Sequence, residues 1–128
     1  MADRTMLQFD YEEVHGRTVT GVLGRRDGSA GWRSIAVVIE DRAVVLQVDS
    51  NTDEVVVTLE DASDLASDWI EVAEIADAIG SALGWCWIGR NYRGYLDMFT
   101  LSFSGIDPQI CFLGEASTLT IKHIIASR

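Results

Sequence analysis

Residues 34–59, SIAVVIEDRAVVLQVDSNTDEVVVTL, decide how the fold is read. The run 34–40 is almost continuously apolar and rich in β-branched side chains, the composition of a buried strand. Glu40, Asp41 and Arg42 form a tight polar break. Residues 43–49 then alternate, with Val44, Leu46 and Val48 facing one way and Val45, Gln47 and Asp49 the other. A second polar break, Asp49 to Asp53, leads into 54–59, where Val55, Val57 and Leu59 share a face. Strands separated by short polar breaks read as an antiparallel meander.

Outward from this core, a strand around Thr18–Leu23 is expected to join through the glycine-rich turn Gly24–Gly31. Downstream, Asp68-Trp69-Ile70-Glu71 has the form of a capping box. Val72, Ile75, Ala76, Ile79 and Leu83 then recur at helical spacing, and Gly84 stands where a left-handed C-terminal cap belongs. The pattern predicts an amphipathic helix over about 68–83, with Glu71, Glu74, Asp77 and Ser81 toward solvent. Strands are expected again at 85–89, 95–103, 109–113 and 118–124. Trp85 and Trp87 fall on one face, where they are either core, the commoner case, or an interaction anchor. Tyr95, Phe99, Leu101 and Phe103 share another face. The expected fold is α+β: a mostly antiparallel sheet of about seven or eight strands with one main helix inserted mid-chain, in a single domain over 1–128.

Composition narrows the function classes. The chain has 128 residues, a single proline and 48% hydrophobic content, enough to bury a core and inconsistent with a disordered chain. The stretch MADRTMLQFDYEE has no apolar run, and no segment reaches the roughly 18 residues that span a bilayer. Two cysteines, Cys86 and Cys111, fit a reducing compartment, so a cytoplasmic location is expected. Charge is segregated. Between Arg42 and Arg90 there is no lysine or arginine, yet ten of the twenty acidic residues lie there, and the whole formal charge of −10 resides in that interval. Such a field repels nucleic acid and anionic membranes and attracts basic proteins or cations.

Candidate chemistry is sparse. From Asp49, oxygen-bearing residues stand at positions 1, 3, 5 and 12 (Asp49, Asn51, Asp53 and Glu60), the ligand spacing of a calcium loop. Position 6 is Glu54 where such loops use glycine, and the flanks are strands rather than helices. The structural alternative is a hairpin turn in which Asp49 or Asn51 caps its own backbone. Cys86 and Cys111 lie within expected strands, where burial makes a thiol inert. His15 and His123 sit near opposite ends of the chain, and no nucleophile, phosphate-loop, dinucleotide or zinc motif is present. The loop of Arg90, Tyr92 and Arg93 is a basic–aromatic cluster able to hold an anion, or else a hairpin tip with Gly94 in the left-handed region. No catalytic residue and no cofactor is expected.

The turn Asp53-Glu54, Trp87, and the hairpin residues Asn91, Gly94, Tyr95 and Asp97 ahead of Leu101 and Phe103 resemble the pattern of a family of small, uncharacterised bacterial proteins. That resemblance implies no activity. In size and acidity alone, the chain is also similar to immunity proteins of bacterial toxin systems.

The leading expectation is a non-enzymatic interaction protein that presents Asp61, Asp64, Asp68, Glu71, Glu74 and Asp77 to a basic partner, as an immunity or inhibitor protein would. One alternative is a small-molecule or calcium site at the 49–60 turn. Another is a self-associating chain, monomer or homodimer, whose acids serve only solubility. Neither nucleic acid nor membrane is an expected partner.

Overall fold

The computed structural model describes residues 7–27 and 31–124. Among the described residues nine strands are formed: β1 (Gly21–Asp27), β2 (Gly31–Ile39), β3 (Arg42–Val48), β4 (Val55–Asp61), β5 (Ile70–Glu71), β6 (Leu83–Arg90), β7 (Leu96–Phe103), β8 (Ile110–Glu115) and β9 (Thr118–His123). Every pairing is antiparallel. Seven strands follow the order β4-β3-β2-β9-β8-β7-β6, while β1 lies along the other side of β2 and carries β5 on its far edge. The molecule is therefore two meanders, β1–β4 and β6–β9, curled into a half-barrel. Among the described residues a single register position, Trp32 opposite Leu119, joins them by strand pairing.

Alternation sends Ile35, Val37, Val44, Leu46, Val55 and Val57 inward from the first meander, against Phe99, Leu101, Phe112 and Leu119 from the second. Val14 is fully buried, and Leu7, Phe9 and Tyr11 pack against the same core.

The tip of the β3–β4 hairpin fastens the two halves. Asp49 caps the turn, its Oδ1 accepting from the Asn51 amide at 2.8 Å. Asp53 Oδ1 then accepts from the Ser117 amide at 2.8 Å, in the β8–β9 turn, and Glu54 Oε2 accepts from the Leu96 amide at 3.2 Å, at the start of β7. Ala116 and Ser117 have φ of 49° and 66°, left-handed values costly for residues with a Cβ, and the Asp53 carboxylate holds that turn. Gly114 lies against the Asp53 carbonyl, and a Cβ there would collide with it.

The expected helix over 68–83 is absent, so the fold is mostly antiparallel β and not α+β. The segment holds only β5 and a 3₁₀ stretch, Ala73–Ala78, kinked at Ile75. Its backbone bonds go to β1 and the residues before it: the Val72 amide donates to the Val22 carbonyl at 2.9 Å, and the Gly80 amide to that of Val19 at 2.8 Å. The buried residues Val72, Ile75 and Ala78 are three apart, as a 3₁₀ turn requires, whereas Ile79, which an α-helix would bury, is 41% exposed. Asp68 caps nothing and pairs with Arg25. Gly84 is no left-handed cap; it lies in β6 where a Cβ would strike Ser102 and Gly105, while the left-handed glycine is Gly80, at φ 95°.

Two further expectations are corrected. Gly24 lies inside β1, so the turn to β2 is shorter than Gly24–Gly31, and 28–30 lie outside the described residues. The tryptophans of β6 are not core. An irregularity between Leu83 and Cys86 resets the alternation, so Cys86 and Ile88 pack inward, leaving Trp87 half-buried outside the core and Trp85 53% exposed. Tyr95 is likewise exposed, apart from Phe99, Leu101 and Phe103.

Asp53→Ala and Gly114→Ala are each expected to lower the unfolding free energy by about 1–3 kcal/mol in urea denaturation. Ser50→Ala, exposed on the same turn, should stay within about 0.5 kcal/mol of the natural chain.

Candidate functional site

The segment 62–79 forms a strap over the first meander. Leu65 and Trp69 cover a second, smaller apolar layer, Ala36, Ala43 and Val45, on the outer side of β2 and β3. With Leu65 and Trp69 turned down, the strap and the end of β4 present acids to solvent: Asp61, Asp64, Asp68, Glu71, Glu74 and Asp77 are all exposed.

The acids are not equivalent. Bases from outside the acidic interval fold back onto two of them, Arg42 Nε lying 3.4 Å from Asp61 and Arg25 Nε 3.3 Å from Asp68. Glu74 is oriented by the indole of Trp32, which donates to its Oε1 at 3.3 Å. Asp64, Glu71 and Asp77 take part in no ion pair among the described residues. Beside them Ile70 and Ile79 stand 51% and 41% exposed.

A cleft of about 290 Å³ opens between the strap and the ends of β7, β8 and β9. Glu74 and Asp77 form its acidic side, Ile75, Phe103 and Ile124 its apolar lining, and His123 contributes an imidazole. A second hollow of about 320 Å³ shares Phe103, Gln109 and Ile124 and continues along the loop Ser104–Pro108. The cleft is assembled from segments near residues 75, 105 and 124, so no local spacing could have announced it.

The calcium spacing is not gathered into a cage. Asp49 is engaged with the Asn51 amide and Asp53 with Ser117. Glu60 lies in β4 opposite Ala43, five residues beyond Val55, or roughly 16 Å along the strand from the turn. Among the described residues no three histidine, cysteine or acidic side chains converge as a metal site.

The Arg90–Tyr95 loop is a closed hairpin tip. Asn91 Oδ1 accepts from the Arg93 and Tyr95 amides at 2.9 and 3.2 Å, and Arg90 donates to the Gly94 carbonyl at 2.7 Å. Gly94 has φ 88°, as a hairpin tip predicts, and Tyr92 is 95% exposed.

A further hollow is lined by Tyr11, Glu12, His15, Trp85 and Cys86. Tyr11 donates to the Gly84 carbonyl at 2.9 Å, and burial, reinforced by Cys86, raises its phenol above the ordinary range. Burial also pushes the Cys86 thiol up to about 11. Both groups are neutral at physiological pH, which leaves no nucleophile or base between them.

Because the folded thiol ionises above its ordinary value of 9.0, the unfolded chain loses that proton first and stability should fall as pH rises from about 9 to 11. Cys86→Ala should flatten the first part of this decline in pH-dependent denaturation, leaving the Tyr11 contribution at higher pH. Iodoacetamide at pH 8 should modify native Cys86 and buried Cys111 slowly, and both rapidly once unfolded.

The residues that carried the family resemblance prove to be architectural. Asp53 and Glu54 fasten the meanders, Asn91 and Gly94 shape the hairpin tip, and Asp97 accepts from Asn91 Nδ2 at 3.3 Å. Neither the curated proteins nor the solved structures give a significant match to the chain. The family model described as "Family of unknown function (DUF6334)" matches residues 1–128, the whole length, and the chain belongs to that family.

Proposed function

We propose that this protein is a non-enzymatic binding module whose acidic strap and adjoining cleft dock a basic segment of a partner protein. The observation that carries the reading is the strap itself. Leu65 and Trp69 lie on the sheet, and the strap's five acids, with Asp61 at the end of β4, face solvent; four of the six (Asp64, Glu71, Glu74 and Asp77) are without an ion pair among the described residues, beside a cleft with an apolar lining.

The arrangement suits a lysine- or arginine-bearing partner. The stem of such a side chain would lie along Ile75, Phe103 and Ile124, with its charge at Glu74 and Asp77. Ile70 and Ile79 add apolar contact area next to the charges, and water-excluded apolar anchors with a charged rim are the usual composition of a specific interface. The net charge of −10 opposes nucleic acid and anionic membranes as partners and accelerates encounter with a basic one. A basic groove built for phosphate, as in a nuclease toxin, is one surface that such an acidic strap would complement.

Capture from the source lysate should retain a basic protein at low salt. That protein should be released at about 0.5 M salt, where the screening length falls to roughly 4 Å. A variant carrying Asp64→Asn, Glu71→Gln, Glu74→Gln and Asp77→Asn should bind the purified partner with an association rate about tenfold or more lower, at nearly unchanged stability. Binding indifferent to both salt and these substitutions would refute the reading.

A further inference from the structure

We propose, resting on the docking reading above, that the partner segment held by the cleft carries an apolar side chain beside its basic one. The apolar side chain seats in the hollow along the loop Ser104–Pro108. The two hollows, of about 290 and 320 Å³, share Phe103, Gln109 and Ile124 and therefore adjoin. Their linings differ in charge. Glu74, Asp77 and His123 line the first, whereas Asp107 is the one charged residue lining the second, beside Phe103, Ile106 and Pro108.

Ile106 is 66% exposed and Ile124 43%, and neither joins the apolar clusters of the described residues. Two bare aliphatic side chains on one hollow, next to an acidic one, suit an apolar group brought by the same basic partner. The loop that holds Ile106 is braced at its base. The Phe103 amide donates to Gln109 Oε1 at 2.6 Å, and the fully buried Ser102 donates from Oγ to the Gly105 carbonyl at 2.7 Å. Ser104, at φ 60°, donates its amide to the Ala82 carbonyl at 2.7 Å, and the Ile124 amide donates to the Gln109 carbonyl at 2.8 Å. A hollow whose walls are already tied together binds without the cost of ordering them.

In an extended segment, alternate side chains share a face about 6.6 Å apart, so residues i and i+2 reach adjoining hollows. The ammonium of one meets Glu74 and Asp77, and the other covers Ile106 and Ile124. Charge alone would admit any basic segment. The second hollow selects among them.

The test is amide chemical-shift titration of the isotopically labelled full chain with capped tripeptides: Lys-Ser-Leu, Leu-Ser-Lys, Lys-Ser-Ser and Ser-Ser-Leu. One of the two lysine–leucine peptides should bind about fivefold or more tighter than Lys-Ser-Ser, which has the same charge. It should shift the amides of Ile106 and Ile124 as well as those of Glu74 and Asp77. Ile106→Ser and Ile124→Ser replace exposed side chains. Each should cut the leucine advantage to about twofold or less while keeping the Lys-Ser-Ser affinity, and the spectrum itself reports whether the variant is folded. Should one of them not fold, the other decides. Equal affinity with and without leucine overturns this inference and leaves the docking reading standing, as does a leucine advantage that a folded variant preserves. Equal affinity with and without lysine, or no shift at the cleft from any peptide at about 10 mM, defeats the docking reading and this inference with it.

Discussion

Two carboxylates on one hairpin turn hold this fold closed. Among the described residues only one register position, Trp32 opposite Leu119, links the two meanders by strand pairing. A sheet so narrowly joined could open like a book. The curl instead brings the β3–β4 tip against the β7 start and the β8–β9 turn, where Asp53 and Glu54 accept from amides that no strand partner reaches. Hydrogen bonds to an ionised acceptor are stronger than neutral ones, and losing one leaves a partly buried amide unsatisfied. The shared core, with Val55 and Val57 on one side and Phe99 and Phe112 on the other, joins the same two halves.

Most of the sheet was legible in the sequence because its signal is local. Apolar runs, period-two alternation and polar breaks marked β2–β4 and β6–β9, while the first strand, expected at Thr18–Leu23, overlaps β1 only at 21–23; the Asp49 turn and the Gly94 hairpin tip behave as their residue types require. The failure at 68–83 is equally physical. Positions three apart serve an α-helix and a 3₁₀ turn alike, so Val72, Ile75 and Ala78 do not distinguish them. The deciding factor was the free edge of β1, which took the backbone of Ile70 and Glu71 into a strand pair. An edge seeking a partner cannot be seen in the segment that satisfies it. The outward tryptophans have a similar cause: an irregularity between Leu83 and Cys86 reverses the faces of Cys86–Gly89, before a second one ahead of Arg90.

The strap explains how one short chain presents two unlike surfaces. Leu65 and Trp69 cover β2 and β3, Val72, Ile75 and Ala78 enter the main core, and its acids point outward beside Ile70 and Ile79. On the second meander Trp85 and Met98 are exposed, while Thr100, Ser102 and Cys111 are buried. In sequence the acids look like an uninterrupted block. In space Arg25 and Arg42 neutralise Asp68 and Asp61, so the field is centred on Asp64, Glu71, Glu74 and Asp77 and on the cleft beside them. That cleft joins parts of the chain dozens of residues apart, which is why the sequence indicated its charge but not its shape.

Native-state hydrogen exchange at the Leu96 and Ser117 amides tests the closure most directly. If Asp53 and Glu54 bind the halves together, both amides should exchange only through the opening that also releases Phe99 and Phe112 in the core, with the same free energy. Exchange of Leu96 and Ser117 orders of magnitude faster, while the core amides stay protected, would show that the halves separate at this turn without unfolding and would contradict the account.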